Sequence, residues 1–200
     1  MEILYSDRDL VVCVKPVGLD SEGEMPAALK EHLSGDIFPL HRLDKNVGGV
    51  MVYARTKSAA ATLSKAIQEG SMVKEYVAKV HGTPPESGFF TDLLFKDSRK
   101  NKVFVVKKSR AGVKEAKLQY RHLGEGLVHV RLFTGRSHQI RVQFSSRGFP
   151  LVGDHKYGSR AKEPAPMLFS CRITFPYKGN IHRYSALPSW AEHTALEEWV

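Results

Sequence analysis

Cysteine is scarce in this chain: two residues in 200, Cys13 and Cys171, each set among apolar neighbours. That count excludes a disulfide scaffold and a cysteine-rich zinc site, and both thiols are expected as small buried hydrophobes. No apolar run approaches the roughly 20 residues that a helix needs to cross a bilayer. The first residues, Met-Glu-Ile-Leu-Tyr-Ser-Asp, lack the basic start and apolar core of a signal peptide, so the cytosol is the expected compartment. Nine histidines are scattered without the His-Glu-x-x-His spacing of a zinc enzyme, and His41 has only Asp44 near it as a second ligand. Gly48 and Gly49 carry neither the Gly-Lys-Ser/Thr ending of a phosphate loop nor the full glycine pattern of a dinucleotide site. Ser137 and His138 are adjacent, so their side chains diverge on strand and helix alike. No Gly-x-Ser-x-Gly surrounds that serine either. Metal, nucleotide-cofactor and serine-hydrolase chemistry all go unsignalled.

Carboxylates are the other shortage. Twenty-one Asp and Glu against 30 Lys and Arg leave a formal charge of +9. A surface that basic favours a polyanionic partner, and nucleic acid is the commonest one for a cytosolic protein. At 42% apolar and 26% charged residues the chain can bury a sizeable core, which excludes disorder as its main state. Its length suits a single domain over residues 1–200.

No internal repeat or low-complexity run breaks the chain. Residues 10–14 are continuously apolar, the pattern of a strand covered on both faces. Pro26 predicts a helix start and a short helix over 27–33. Strands are expected over 50–55 and 73–80, the latter with Tyr76, Ala78 and Val80 on one face. Between them Thr56 is a good N-cap for a helix burying Ala59, Leu63, Ala66 and Ile67, with Gly70 as its stop. Residues 83–88 read as a loop and 96–102 as a basic, turn-rich stretch. Further strands are expected over 103–106, 114–122, 127–133 and 167–175. Residues 139–147 read as a short helix, although Ile140, Val142 and Phe144 would also suit a strand. Strands outnumber helices and the connections are of hairpin length, which predicts an α+β fold with a mixed, mostly antiparallel sheet.

Two polar clusters could carry chemistry. The first is His41-Arg42-Leu43-Asp44, just ahead of Gly48 and Gly49. It reads either as a carboxylate held in a turn where backbone approaches a ligand, or as a salt-bridged loop. The second runs from Thr134 to Arg141, and the three arginines Arg131, Arg136 and Arg141 fall within eleven positions around Gly135. Lys96, Arg99, Lys100, Lys102, Lys107 and Lys108 form a third basic stretch, readable as an RNA-backbone patch or as a solvated charge run.

The stretch 38–46, Phe-Pro-Leu-His-Arg-Leu-Asp-Lys-Asn, resembles the catalytic motif of the RluA-type pseudouridine synthases. Residues 11–18 resemble that family's N-terminal strand and Lys-Pro turn, and 74–82 its tyrosine-bearing strand. Residues 135–142, with Val152, Gly153, Asp154 and Tyr157, resemble its arginine-bearing motif. The four motifs occur in the family's order and span nearly the whole chain. The resemblance implies a pseudouridine synthase fold that isomerises uridines in ribosomal or transfer RNA without cofactor or metal. It implies Asp44 as the catalytic aspartate, Tyr76 stacked on the target base, and Arg141 paired with the Asp44 carboxylate. Lys15, His41, Arg42, Arg136, His138, Gln139 and Ile140 are expected at the RNA, with Arg42 filling the gap left by a flipped base. A monomer without membrane association is expected. Two departures stand out. Lys45, Asn46, Val47, Gly48 and Gly49 replace the hydroxyl-bearing turn usual after the aspartate, and a catalytic domain without the small N-terminal RNA-binding domain of many members is expected. The rival reading, a non-catalytic RNA-binding module, has no use for the Asp44, Tyr76 and Arg141 set.

Overall fold

The computed structural model describes residues 1–196 and 198–199. In chain order the elements are β1 (Glu2–Ser6), β2 (Leu10–Lys15), α1 (Glu24–Lys30), β3 (Phe38–Pro39), β4 (Gly48–Ala54), α2 (Lys57–Gln68), β5 (Val73–Lys79), β6 (Ser87–Asp97) and β7 (Lys102–Val106). They continue with β8 (Val113–Gly124), β9 (Leu127–Leu132), α3 (Gln139–Ser145), β10 (Leu168–Tyr177) and β11 (Asn180–Ser185). The fold is α+β, and no described helix is long and apolar enough to cross a membrane. The chain forms two compact units: residues 1–75 with 169–187, and residues 76–168 with 188–200.

In the first unit the strand order is β1-β2-β4-β10, with β3 against β4 and β11 against β10. The β4–β10 pairing is parallel, and β1–β2, β2–β4, β3–β4 and β10–β11 are antiparallel. The apolar run of β2 is buried along its length because it pairs on both edges and carries core on both faces. Thr56 caps α2 by accepting a hydrogen bond from the Ala59 N–H (3.2 Å); Ala59 and Leu63 are buried with Leu10, Val50, Val52, Ile173 and Phe175, and Ala66 of the same helix is buried too. Helix α1 begins earlier than its proline suggests. Asp20 takes up the Glu22 and Gly23 N–H groups, so Pro26 falls within the first turn, where its missing N–H costs nothing, and the helix ends at Lys30. The glycine pair that opens β4 serves packing. A Cβ on Gly49 would lie 2.4 Å from the backbone of Ser170, so the close approach expected there is to β10 and not to a ligand.

In the second unit the order is β5-β9-β8-β6-β7, and β6–β7, β6–β8 and β8–β9 are antiparallel. Residues 139–145 are helical, and α3 buries Ile140, Val142 and Phe144 beneath this sheet. The Phe144 ring meets Phe90 and Tyr120 edge-on at 5.2 and 5.1 Å. Strand β5 is buried on both faces at its centre, from Glu75 to Ala78, in place of the one-faced alternation expected.

Strands β1, β6 and β11 escape a pattern reading. In β6 the core-facing positions are Phe90, Asp92 and Leu94, and the aspartate interrupts the apolar alternation. Arg147, just past the end of α3, neutralises it with a two-pronged ion pair (2.8 and 3.1 Å), and Gln143 adds a hydrogen bond at 2.7 Å. The β10–β11 hairpin turns on Lys178 and Gly179, both at positive φ, with lysine where asparagine would have signalled the turn.

Candidate active site

Asp44 lies in the turn between β3 and β4, where its carbonyl accepts from the Val47 N–H (2.9 Å). The residues on either side of it are clamped. Before it, buried Ser21 bonds Leu43 twice: its hydroxyl donates to the Leu43 carbonyl (2.9 Å) and accepts from the Leu43 N–H (3.0 Å). The Tyr53 hydroxyl donates to the Ser21 carbonyl (3.0 Å), which anchors the serine to β4. After it, the Lys45 carbonyl accepts from the Gly18 N–H (2.8 Å).

Lys15, expected at the RNA, is fully buried beneath this turn. Its ammonium donates to the carbonyls of Pro16 (2.9 Å), Leu19 (2.8 Å) and Lys45 (3.3 Å). Burial lowers its pKa to about 8, and the charges of Asp20, Asp44 and Glu24 oppose that shift. The lysine therefore knots two loops together under the aspartate and presents no charge to solvent.

His41 is also a structural part of the turn. Strand β3 lasts only two residues, paired to Tyr53 and Ala54, so the next ladder position on β4 lacks a carbonyl. The His41 Nε2 takes that place and accepts from the Val52 N–H (3.2 Å). A ring that accepts at Nε2 is neutral and carries its proton on Nδ1. Burial first, then the charge of Lys74, push the His41 pKa down to about 3. Arg42 points outward, about 60% exposed, with a loose ion pair to Glu22 at 3.4 Å.

In the second unit Arg141 projects from α3 with its side chain only 9% exposed. Its Nε and Nη2 grip both oxygens of Asp154 (2.6 and 2.9 Å), a two-pronged pair in which the carboxylate is 1% exposed. The Tyr157 ring lies 5.1 Å from the Arg141 Cζ, and its hydroxyl bonds the Val103 N–H (2.9 Å) and His138 Nδ1 (2.8 Å). His138 adopts the left-handed conformation (φ 50°) at the start of α3, a strained geometry for a residue with a side chain. Tyr76 is buried on β5. Glu75, the residue before it, forms an ion pair with Arg172 inside the first unit (3.2 Å).

Gln139 and Ile140 were expected at the RNA, but both are buried. The Gln139 Oε1 accepts from the Thr134 hydroxyl (2.8 Å) and the Arg136 N–H (3.0 Å), and its Nε2 donates to the Lys117 carbonyl (3.0 Å). The glutamine thus locks the loop that leads into α3. Arg136 is exposed and donates from Nε to the Glu115 carbonyl (2.8 Å). Lys96, Arg99, Lys100, Lys107 and Lys108 are exposed, and Lys102 is half-buried over the Tyr157 ring. Cys13 and Cys171 are buried free thiols whose pKa values burial pushes up, Cys13 to about 12. Among the described residues no group of three His, Cys, Asp or Glu is placed to hold a metal ion.

Sequence reasoning missed Ser21 and Tyr53, and it gave Asp154 no role. A lone serine 23 residues before the aspartate sends no signal of its own. Asp154 sits in a recognised motif, and a buried arginine needs a carboxylate, so its role as Arg141's partner was within reach.

The family model described as RNA pseudouridylate synthase matches residues 9–146. The Escherichia coli K12 dual-specificity RNA pseudouridine synthase RluA is 33% identical over 203 residues, covering 92% of this chain and 91% of that protein. The Pseudomonas aeruginosa ribosomal large subunit pseudouridine synthase D is 34% identical over 178 residues, covering 82% of this chain but only 55% of the relative's length. Among solved structures, human RNA pseudouridylate synthase domain containing 4 superposes with a TM-score of 0.79 at 26% identity, covering 94% of this chain and 89% of that one. Its human counterpart domain containing 1 shares the fold, with a TM-score of 0.81 at 23% identity, 94% of this chain and 83% of that one.

Proposed function

The chain belongs to the RNA pseudouridylate synthase family, and from that membership we propose that it isomerises uridines in structured ribosomal or transfer RNA to pseudouridine. The observation that carries this reading is Asp44, set in the family-like motif of residues 38–46 on a turn clamped on both sides. The reaction breaks the N1–C1′ bond of uridine, turns the uracil and rejoins it through C5. An ionised carboxylate has three routes to that end: attack on C1′, addition to C6 of the base, or removal of the C2′ proton to leave a glycal. Each begins with Asp44 and requires no net electron transfer. Tyr76 stacks on the target base and assists proton movement. Arg141, braced by Asp154, orients the Asp44 carboxylate.

The target atoms lie inside a stacked or paired nucleotide, which must leave its stack at a cost of a few kcal/mol. Arg42, exposed and two residues from Asp44, enters the space so vacated, where its planar guanidinium stacks on the neighbouring bases. The relatives' names include a ribosomal large subunit synthase and a dual-specificity RNA synthase, which supports ribosomal RNA within that substrate class.

The test is to map pseudouridine in RNA from wild-type cells, a deletion strain, and the deletion strain carrying Asp44→Asn. Carbodiimide tagging followed by reverse transcription reads each site as a stop. At least one stop should vanish in the deletion strain and stay absent with the variant. An unchanged map in the deletion strain would overturn the reading.

A further inference from the structure

The second unit presents an open sheet face that none of the roles above uses. Along β6 the residues alternate: Phe90 and Leu94 are buried in the core, while Phe89, Thr91, Leu93 and Phe95 lie on the other side. The register sets Phe89 beside Gln119 of β8, Gln119 beside Arg131 of β9, and Phe95 beside Phe104 of β7. Phe89 is 55% and Phe133 47% exposed, and their rings touch at 5.4 Å with Arg131 5.5 Å from the Phe133 ring. Roughly 20 Å along β6 lies a second cluster, in which Arg110 covers the Phe95 ring at 4.5 Å and Phe104 is 36% exposed. Lys117 lies between the clusters and neutralises Glu115 at 2.8 Å. Trp199 covers one corner, against His129 and Arg121.

We propose that this face binds a single-stranded segment of the RNA outside the target nucleotide, with bases stacked on Phe89 and Phe133 and backbone phosphates drawn to Arg131. The proposal rests on the reading of the chain as an RNA-modifying enzyme. Aromatic rings exposed in pairs on a sheet, interleaved with cations, form the surface on which unpaired bases stack, and every base has a π-face to offer. An arginine over a ring serves both partners, because it completes a cation–π contact and leaves N–H groups turned outward. Charge decides against other occupants. The chain carries +9, and a second copy docked face to face would bring the Arg131 and Arg110 charges of both copies onto one interface.

The experiment uses the full chain carrying Asp44→Asn, so that binding is read apart from turnover. A fluorescent oligouridylate of about 12 nucleotides, within the site sizes of such platforms, is titrated by anisotropy. Adding Phe89→Ala and Phe133→Ala should weaken binding about tenfold or more, since stacking contributes about 1–3 kcal/mol per base. Arg131→Ala should lower the salt dependence of binding by about one phosphate. The circular dichroism spectrum and melting temperature should hold, because both rings are exposed. In the Asp44 background, turnover on a minimal stem-loop should persist with the two phenylalanines replaced, and turnover on RNA with a single-stranded flank should fall. Unchanged oligouridylate affinity in a folded double variant would overturn the proposal. So would a concentration-dependent dimer in sedimentation that the double variant abolishes. Failure of the enzymatic reading would show instead as no pseudouridine formed by the unmutated chain on any RNA.

Discussion

The turn that presents Asp44 and the helix that presents Arg141 are held by different physics. Around Asp44 the work falls to neutral or main-chain partners: Ser21 on Leu43, Gly18 on Lys45, Tyr53 on Ser21, and the His41 ring standing in for a strand carbonyl. Even Lys15, the charged member, spends its ammonium on three carbonyls. Around Arg141 a buried ion pair with Asp154 does the work, backed by the Tyr157 ring. Neutral bonds contribute about 1 kcal/mol each and fix position with little dependence on salt. A buried ion pair adds modest net stability, but either partner alone is costly. Damage to the two supports should therefore look different: lost activity from the first, lost folding from the second.

The largest effect tests the proposed reacting group. Asp44→Asn should cut turnover at least about a hundredfold while RNA affinity changes only a few-fold, because phosphate contacts elsewhere supply most of the binding. Single-turnover assay and anisotropy on one preparation check both halves, and turnover within tenfold of wild type would remove Asp44 from the chemistry. Next comes the ion pair. Arg141→Met strands the Asp154 carboxylate and should cost about 3–5 kcal/mol in urea denaturation. Pairing it with Asp154→Leu should recover much of that stability without restoring turnover, and an unfolding midpoint indifferent to either change would dissolve the contrast.

Ser21→Ala leaves the Leu43 N–H and carbonyl unpaired, at about 1–3 kcal/mol. Its mark should be a drop in the single-turnover rate larger than any change in RNA affinity, because the serine touches the residue beside Asp44. A fully active variant with the same melting loss would make the clamp purely structural. The smallest effect at neutral pH belongs to His41, and it grows as the pH falls. His41 takes up a proton at about 3 in the folded chain against 6.5 ordinarily, so the unfolded chain binds more protons between those values. Stability contributed at this position is therefore complete above pH 6.5 and declines as the pH falls toward 3. His41→Gln, which keeps an acceptor, should flatten that decline in melting temperature measured between pH 7 and 4.

Much of this was readable in the chain. The apolar run of β2, the Thr56 cap and the apolar period of α2 are local patterns whose causes lie within a dozen residues, and they appear where expected. Strand β6 was not readable, because Asp92 faces the core and is tolerated through Arg147 and Gln143, 55 and 51 residues away. The site divides in the same way. Motif order singled out Asp44, Tyr76 and Arg141 as candidates, yet Lys15, Gln139 and Ile140 are buried supports where RNA contacts were expected. A motif records which residues occur together and does not separate the side chain that meets a ligand from the one that braces it.

The sequence by itself determined the α+β class, the basic character, the family and the segment that bears Asp44, since each follows from composition, short-range period or an ordered set of motifs. The tertiary structure alone decided that Ser21 and Lys15 hold the Asp44 turn, and that Phe89 and Phe133 meet in the open. Those pairings join positions far apart in the chain, and their energies arise from burial and hydrogen-bond geometry that exist only once the sheet has brought the strands together.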